Sequence, residues 1–378
     1  MKRIIILLLF CSTLSAQKAE FGVGIILGEP TGISIKQWMN ETVDIEVRPM
    51  KILFVGGTGN ISASCTREAL SQGIEVHHLN RGMTASPFGD RVTVHRADIK
   101  DRNSVKEALR GQRFDVVVDW LVMTKEALEA DIQMFQGITS QYVFISSASV
   151  YHKPPRYNLI TESTLAYNPY WPMSQRKTEC EQRLREAFTQ DGFPMTIVRP
   201  SHTYSDGWFP STFGKGFTVP QRMLDGKEVI VHGDGTSLWT LTHSDDFARG
   251  FVGLLGNPAA IGETFHITTD EVVTWNQVHD DMAAALGVTP KIVHIPSEVI
   301  NRFFPDTGVG LIGDRQYSLV FDNTKSKRFV PGFQCKIPFH EGMRRSVAWW
   351  QAHPEIPRVE QKIESDIESM LEKWSALK

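Results

Sequence analysis

From Lys51 onward, short apolar runs alternate with stretches whose apolar residues recur at helical spacing. "KILFVGG", "IEVHHLN", "RVTVHRA", "FDVVVDWLV", "YVFISSAS" and "MTIVRP" read as strands. Residues 62–72, 104–109, 125–135 and 173–188 between them read as helices. Strands that are apolar throughout, joined by crossover helices, predict an α/β fold whose parallel sheet is covered on both faces.

The first 49 residues break this pattern. "MKRIIILLLFCSTLSAQ" pairs a positive start at Lys2 and Arg3 with a short apolar stretch and small residues near Ser15 and Ala16. Residues 1–17 therefore read as a signal-like segment, too short for a membrane span; the alternative is a buried strand or helix. "FGVGIILGEPTGISIKQW" reads as one hairpin, with Glu-Pro-Thr-Gly as its turn, inside a β-prone segment 18–49. Met50 directly precedes "KILFVGGTGN". Residues 1–49 are thus expected to be an appended or mis-joined segment on an enzyme-like unit that starts at Met50.

In "GGTGNIS", Gly56, Gly59 and Ser62 fall between the first strand and the first helix. This spacing suits a dinucleotide pyrophosphate. Gly56 permits a tight turn, Gly59 a close backbone approach and Ser62 close packing, and the helix N-terminus presents donors. The second strand ends "LNRG", with Asn80 and Arg81 where an acidic residue would hold a ribose. That favours NADP over NAD as cofactor; the competing role for Arg81 is a solvated loop residue. In "RADI", Asp98 stands where an adenine amino group could be held; a helix cap or turn is the competing role.

One helix carries an awkward lysine. In "YWPMSQRKTECE", Met173, Cys180, Leu184 and Phe188 form an apolar stripe, and Lys177 lies on it.

"GGTGNIS", "FISSASVY", a lysine in a helix and "IVRPS" together resemble an extended short-chain dehydrogenase/reductase, more narrowly the NAD-dependent epimerase/dehydratase family of nucleotide-sugar enzymes. "VIVHGDGTSLWTLTHSDDFARGF", "GETFHITTDEVVTWNQV" and "PFHEGMRRSVAWW" are similar to its later segments, so the resemblance runs from about Met50 to Gln351. It implies a Rossmann-type doubly wound parallel sheet with a smaller C-terminal substrate lobe. The NAD(P)-binding domain would span 50–200 with a returning segment near 239–268. Segments 201–238 and 269–378 would form the substrate lobe and C-terminal helices.

The family's chemistry uses a serine or threonine, a tyrosine and a lysine, with the last two four residues apart on one helix. The tyrosine moves a proton, the lysine lowers its pKa and grips the nicotinamide ribose, and the serine bonds the reacting oxygen. By this resemblance Ser147 and Lys177 are catalytic, and Met173 occupies the tyrosine position. A thioether has no transferable proton. Tyr170 precedes the helix, with Pro172 suited to its first turn, and is expected to face elsewhere. The dehydratase branch's acidic pair is replaced by Ala148 and Ser149, so epimerisation or carbonyl reduction fits better than dehydration. The resemblance adds Thr58, Asn60, Ile61, Ile99, Leu121, Lys177 and Pro200 to the cofactor residues, and places Ser149 and Tyr151 at the substrate. Packing is an equal alternative for Tyr151.

"DGWFPSTFGKGFTVPQRM" reads either as a loop over the substrate or as a connector with buried aromatics. His243 reads as a satisfied core histidine. The tail "ESDIESMLEKWSALK" is an amphipathic helix with Ile367, Met370, Leu371, Trp374 and Leu377 on one side, expected to pack on the body.

Composition narrows the partners. The 378 residues are 41% hydrophobic and 22% charged, with a net charge of −3 and a pI near 6.5. No basic excess asks for nucleic acid. Four scattered cysteines and 12 scattered histidines show no metal spacing, so no metal is expected and the thiols read as reduced. The expected partner is a small-molecule substrate, without nucleic acid or membrane, in a chain that could form a homodimer. The body's need for a dinucleotide favours the cytoplasm, and the leader favours export. The competing function is a non-catalytic dinucleotide-binding protein, a sensor or an RNA-binding-like relative on the same fold.

Overall fold

The computed structural model describes residues 48–83, 86–214 and 216–378, together with the backbone of 23–28 and 32–37. The signal-like segment 1–17 lies outside the described residues. Val23–Gly28 and Gly32–Gln37 pair antiparallel, with Gly28 opposite Gly32, as the hairpin pattern predicts.

Seven strands make the central sheet: β1 (Lys51–Val55), β2 (Glu75–Asn80), β3 (Thr93–Arg96), β4 (Phe114–Asp119), β5 (Thr139–Ile145), β6 (Met195–Pro200) and β7 (Thr264–Ile267). Their order is β3-β2-β1-β4-β5-β6-β7, and every neighbouring pair is parallel. This is a doubly wound Rossmann-type sheet. Strand order reverses between β1 and β4, which opens a crevice at their C-terminal ends.

Alternation along the strands explains why both faces are covered. Ile52, Phe54, Val116 and Val118 face one way and meet Cys65 and Ala69 of α1 (Asn60–Ser71). Leu53, Val55 and Val117 face the other way, toward Leu128 and Ile132 of α3 (Lys125–Phe135) and Cys180 and Leu184 of α4 (Pro172–Asp191). The helix α2 (Arg102–Ala108) caps the same side through Val105. α5 (Ser244–Val252) returns to lie beside α1, with Ser64 Oγ 2.8 Å from Ser244 Oγ, and leads to β7 at the sheet edge.

β4 ends three residues before its apolar run does. The buried Asp119 carboxylate accepts the amides of Leu121 at 2.5 Å and Val122 at 2.9 Å, turning the chain there.

A further core lies beyond the C-terminal edge of the sheet. Residues from 204–241 pack with α6 (Trp275–Leu286), α7 (Phe339–Ala352) and α8 (Gln361–Ser375) around Trp239, Trp275 and Trp350. Phe209 and Phe213 are buried there, so most of the Gly- and aromatic-rich stretch is a packed connector. Ile367, Met370 and Leu371 seat α8 on this core, whereas Leu377 lies past the helix and is exposed. Among the described residues no helix is long and apolar enough to cross a membrane. Cys65, Cys180 and Cys335 are free thiols.

Candidate active site

A cleft of about 980 Å3 opens where the sheet's C-terminal edge meets the further core. One end is made of backbone. Gly56 and Gly57 both have φ of +103°, a region that side chains avoid. A Cβ on Gly57 would lie 2.6 Å from the His78 ring, and one on Gly56 would touch Trp120 and Leu121. His78 is buried under this loop, where desolvation pushes its imidazole down to about 4, and it contacts Thr66 Oγ1 at 3.0 Å. Gly59 N–H donates to Ser62 Oγ at 2.9 Å, and Asn60 Nδ2 donates to the Thr203 carbonyl at 3.1 Å. These bonds fix the start of α1, whose first amides have no partner within the helix. Gly56, Thr58, Gly59, Asn60, Ile61 and Leu121 all line the cleft.

The other end is made of side chains. Ser147 and Pro200 line the cleft, with Trp171, Trp208, His202 and Arg315. Ser147 Oγ accepts the Ser149 amide at 3.2 Å and the Ser149 hydroxyl at 2.9 Å, and Ser174 of α4 donates to Ser149 Oγ at 2.7 Å. The buried Asn168 donates to the carbonyls of Ser149 and Gly313, both at 2.7 Å, and accepts the amides of Tyr170 and Trp171. One amide thus ties together the serine turn, the start of α4 and the segment that carries Asp314 and Arg315.

Lys177 is buried, as its place on the apolar stripe predicts, but it is not among the residues lining the cleft. Its Nζ donates to the carbonyls of Val122 at 2.5 Å and Ile145 at 2.8 Å, joining the ends of β4 and β5. Desolvation pushes it down to about 8, against the pull of Cys180, Asp119 and Glu181. Met173 is half-buried in the first turn of α4 and is likewise not among the lining residues. Tyr170 is exposed before the helix, which starts at Pro172.

Several of the expected site residues lie away from this cleft, and Tyr151 and Asp98 take the packing and turn roles held open for them. Tyr151 is fully buried, because its ring lies 4.7 Å from the Arg199 guanidinium and its hydroxyl 3.0 Å from His266 Nδ1; it does not reach the cleft. Ser149 is also buried, behind Ser147. Asp98 turns back on its own loop to accept the Lys100 amide at 3.0 Å, and Ile99 packs against the core beneath α2. Asn80 accepts the Gly82 amide at 2.9 Å, and it and the exposed Arg81 lie outside the cleft lining. His243 is a satisfied core residue, 3.0 Å from Asp206 and accepting the Asp245 amide.

Sequence reasoning missed the buried pair beneath the serine turn. Glu181 accepts Arg199 Nε at 2.8 Å and bonds its Nη2, and Ser146 Oγ donates to the same carboxylate at 2.6 Å. The available signal was a second charge, Glu181, four residues after Lys177 on the apolar stripe. Asp314 and Arg315 were missed too. Burial pushes Asp314 up although Lys153 stands 3.1 Å away, and pushes Arg315 down to about 10.

The family model described as NAD dependent epimerase/dehydratase matches residues 52–268. The chain belongs to this family. Among curated relatives, the chloroplast stem-loop binding protein of 41 kDa b from Arabidopsis thaliana is 27% identical over 266 residues, which span 65% of this chain and 65% of that protein. A dTDP-glucose 4,6-dehydratase from Actinoplanes sp. is 24% identical over 80% of this chain and 98% of its own. A UDP-glucose 4-epimerase from Mycolicibacterium smegmatis is 23% identical over 80% and 99%. Among solved structures, the UDP-glucose 4-epimerase from Bifidobacterium longum in complex with NAD+ and UDP superposes with a TM-score of 0.65 at 19% identity, covering 81% of this chain and 99% of that one. An epimerase from Methanothermobacter thermautotrophicus gives 0.67 at 16% identity, covering 81% and 94%. These structures share the epimerase/dehydratase fold seen here.

Proposed function

We propose that this epimerase/dehydratase-family chain binds NADP or NAD and acts on a nucleotide sugar or related polyol, with its redox chemistry impaired or altered at Met173. The observation that carries this reading is the shared cleft, in which the positive-φ glycine loop and the α1 N-terminus face the same space as Ser147 and Pro200. The cradle that a Cβ would fill at Gly56 suits a pyrophosphate. Solved relatives in complex with NAD, and curated relatives named for UDP- and dTDP-sugars, support the ligand classes. Arg81 and Arg96 beside Gly82, at the end of the second strand, support NADP over NAD.

When bound, the cofactor would supply hydride transfer. The chain's own residues would do the rest. The loop 56–62 holds the phosphates, Ser147 donates to the reacting oxygen, and segments 201–238 and 269–378 form the substrate lobe. Lys177, held by two carbonyls, fixes the strand ends behind the nicotinamide end and would need to turn to grip a ribose. Met173 moves no proton. The need for a dinucleotide supports the cytoplasm as the place of work, with export the alternative if residues 1–17 act as a signal.

A second reading is a non-catalytic dinucleotide-binding protein, sensor or RNA-binding-like. It is favoured by Met173 and by the similarity to the chloroplast stem-loop binding protein. Binding of NADP and NAD, followed by turnover with a nucleotide-sugar panel for wild type and Met173→Tyr, separates the two. Binding is expected in both, with turnover about two orders of magnitude higher in the tyrosine variant. Binding without turnover in either supports the second reading; absence of dinucleotide binding removes both.

A further inference from the structure

We infer that Ser149 and Ser174 are positioning residues that hold Ser147 as a hydrogen-bond donor, so the cleft prefers a ligand with a carbonyl at its reacting oxygen over the same ligand with a hydroxyl there. The inference rests on the reading above, in which a sugar ligand meets Ser147.

Ser147 is the one residue between positions 141 and 151 that is not buried. A serine oxygen has one proton to give and two lone pairs. Both lone pairs of Ser147 are engaged, by the amide and the hydroxyl of Ser149. Its proton is therefore what it offers, and the cleft is the direction left to it. The polarity is set from behind. Ser174, fully buried on α4, donates to Ser149, which leaves the Ser149 proton for Ser147. Among the described residues Ser149 Oγ is the one partner of the Ser174 hydroxyl, so reversing the chain would leave a buried proton on Ser174 without an acceptor.

A carbonyl oxygen only accepts, and Ser147 satisfies it. A hydroxyl accepts as well, but it brings a proton that needs its own acceptor. Ser147 cannot be that acceptor, because both of its lone pairs are taken. At this serine the hydroxyl form has a proton that Ser147 does not satisfy, which makes it the weaker ligand by about tenfold.

The test uses the full chain with oxidised dinucleotide and calorimetric titration of two probes that differ only at carbon 4, UDP-4-keto-6-deoxyglucose and UDP-6-deoxyglucose. Each probe is recovered afterwards to confirm that it is unchanged. The ketone is expected to bind about tenfold tighter to wild type, and the ratio to fall below about threefold in Ser149→Ala. Ser174→Ala should lower it less. Ser149→Thr keeps a hydroxyl and should keep the ratio, and dinucleotide affinity should stay constant throughout. A general loss of packing would weaken both probes alike and leave the ratio unchanged, which overturns the inference. So does equal binding of both probes by wild type, with the proposed function intact. Dinucleotide binding without either sugar nucleotide would remove the proposed substrate and this inference together.

Discussion

The two ends of the cleft are built by different means. The glycine-loop end is backbone, with two positive-φ glycines and the opening amides of α1, all within residues 56–62. The serine end is side chains delivered by three separate segments, Ser146, Ser147 and Ser149 after β5, Asn168 to Glu181, and Arg199 on β6, and tied through Asn168 to the Gly313 carbonyl. A backbone site depends on a few local residues, and any loss is total. A side-chain site rests on a frame of mutual bonds, so one member can change while the frame stands. The serine chain, the Glu181–Arg199 pair and the Lys177 clamp together make up that frame.

The frame is the more expensive end to break. Arg199 is buried and bonds Glu181 through two nitrogens. In Arg199→Met the buried Glu181 would keep Ser146 and the more exposed Arg185 at 3.8 Å but lose its buried counter-charge. The expected loss is about 4 kcal/mol of unfolding free energy in urea titration. The double variant Glu181→Leu with Arg199→Leu should lose less than the single one, because no lone charge is left buried. If the double variant is as unstable as the single, the pair is not what holds this end.

At the loop end the expected effect is somewhat smaller. Gly57→Ala forces a side chain into a positive-φ position and against the buried His78 ring. Strain and overpacking together should cost about 3 kcal/mol by thermal or urea unfolding. A near-neutral Gly57→Ala would mean that the loop can relax, and the backbone end would then be less rigid than the contrast requires.

The same contrast governs what was legible in the sequence. The strand–loop–helix around Gly56 is local, and both it and the elements Lys125–Phe135 and Met195–Pro200 stand where periodicity puts them. Elsewhere, side-chain bonds moved the limits. β4 stops at Asp119 because that carboxylate takes two amides ahead of it. β5 begins at Thr139, three residues before its apolar run, because the buried Gln141 is satisfied by Thr196, Leu254 and Gly256. No spacing rule shows such distant partners. Tyr151 illustrates the same limit in the candidate site. From sequence, Tyr151 reads equally as substrate-lining or as packing, and only the fold shows that Arg199 and His266 hold it inside.

Lys177 gives the smallest and most specific of these effects, and it acts through pH. Burial holds its ammonium at about 8, against an ordinary value of 10.5. Below pH 8 the lysine is charged in both the folded and the unfolded chain, so the full cost of burying that charge is present. Between pH 8 and 10.5 the folded chain releases the proton first. The unfolded chain then binds more protons, and stability must rise with pH. Between pH 7.5 and 9.5 this single group should add about 2 kcal/mol to the unfolding free energy of wild type. Lys177→Met lacks the titration, so the difference between the two proteins, measured by urea unfolding at both pH values, isolates it from every other lysine and tyrosine. A flat difference would mean that the ammonium is already compensated by the carbonyls of Val122 and Ile145. Lys177 would then be as well settled at rest as the glycine loop, and nothing in its energetics would favour leaving the strand ends for a ligand.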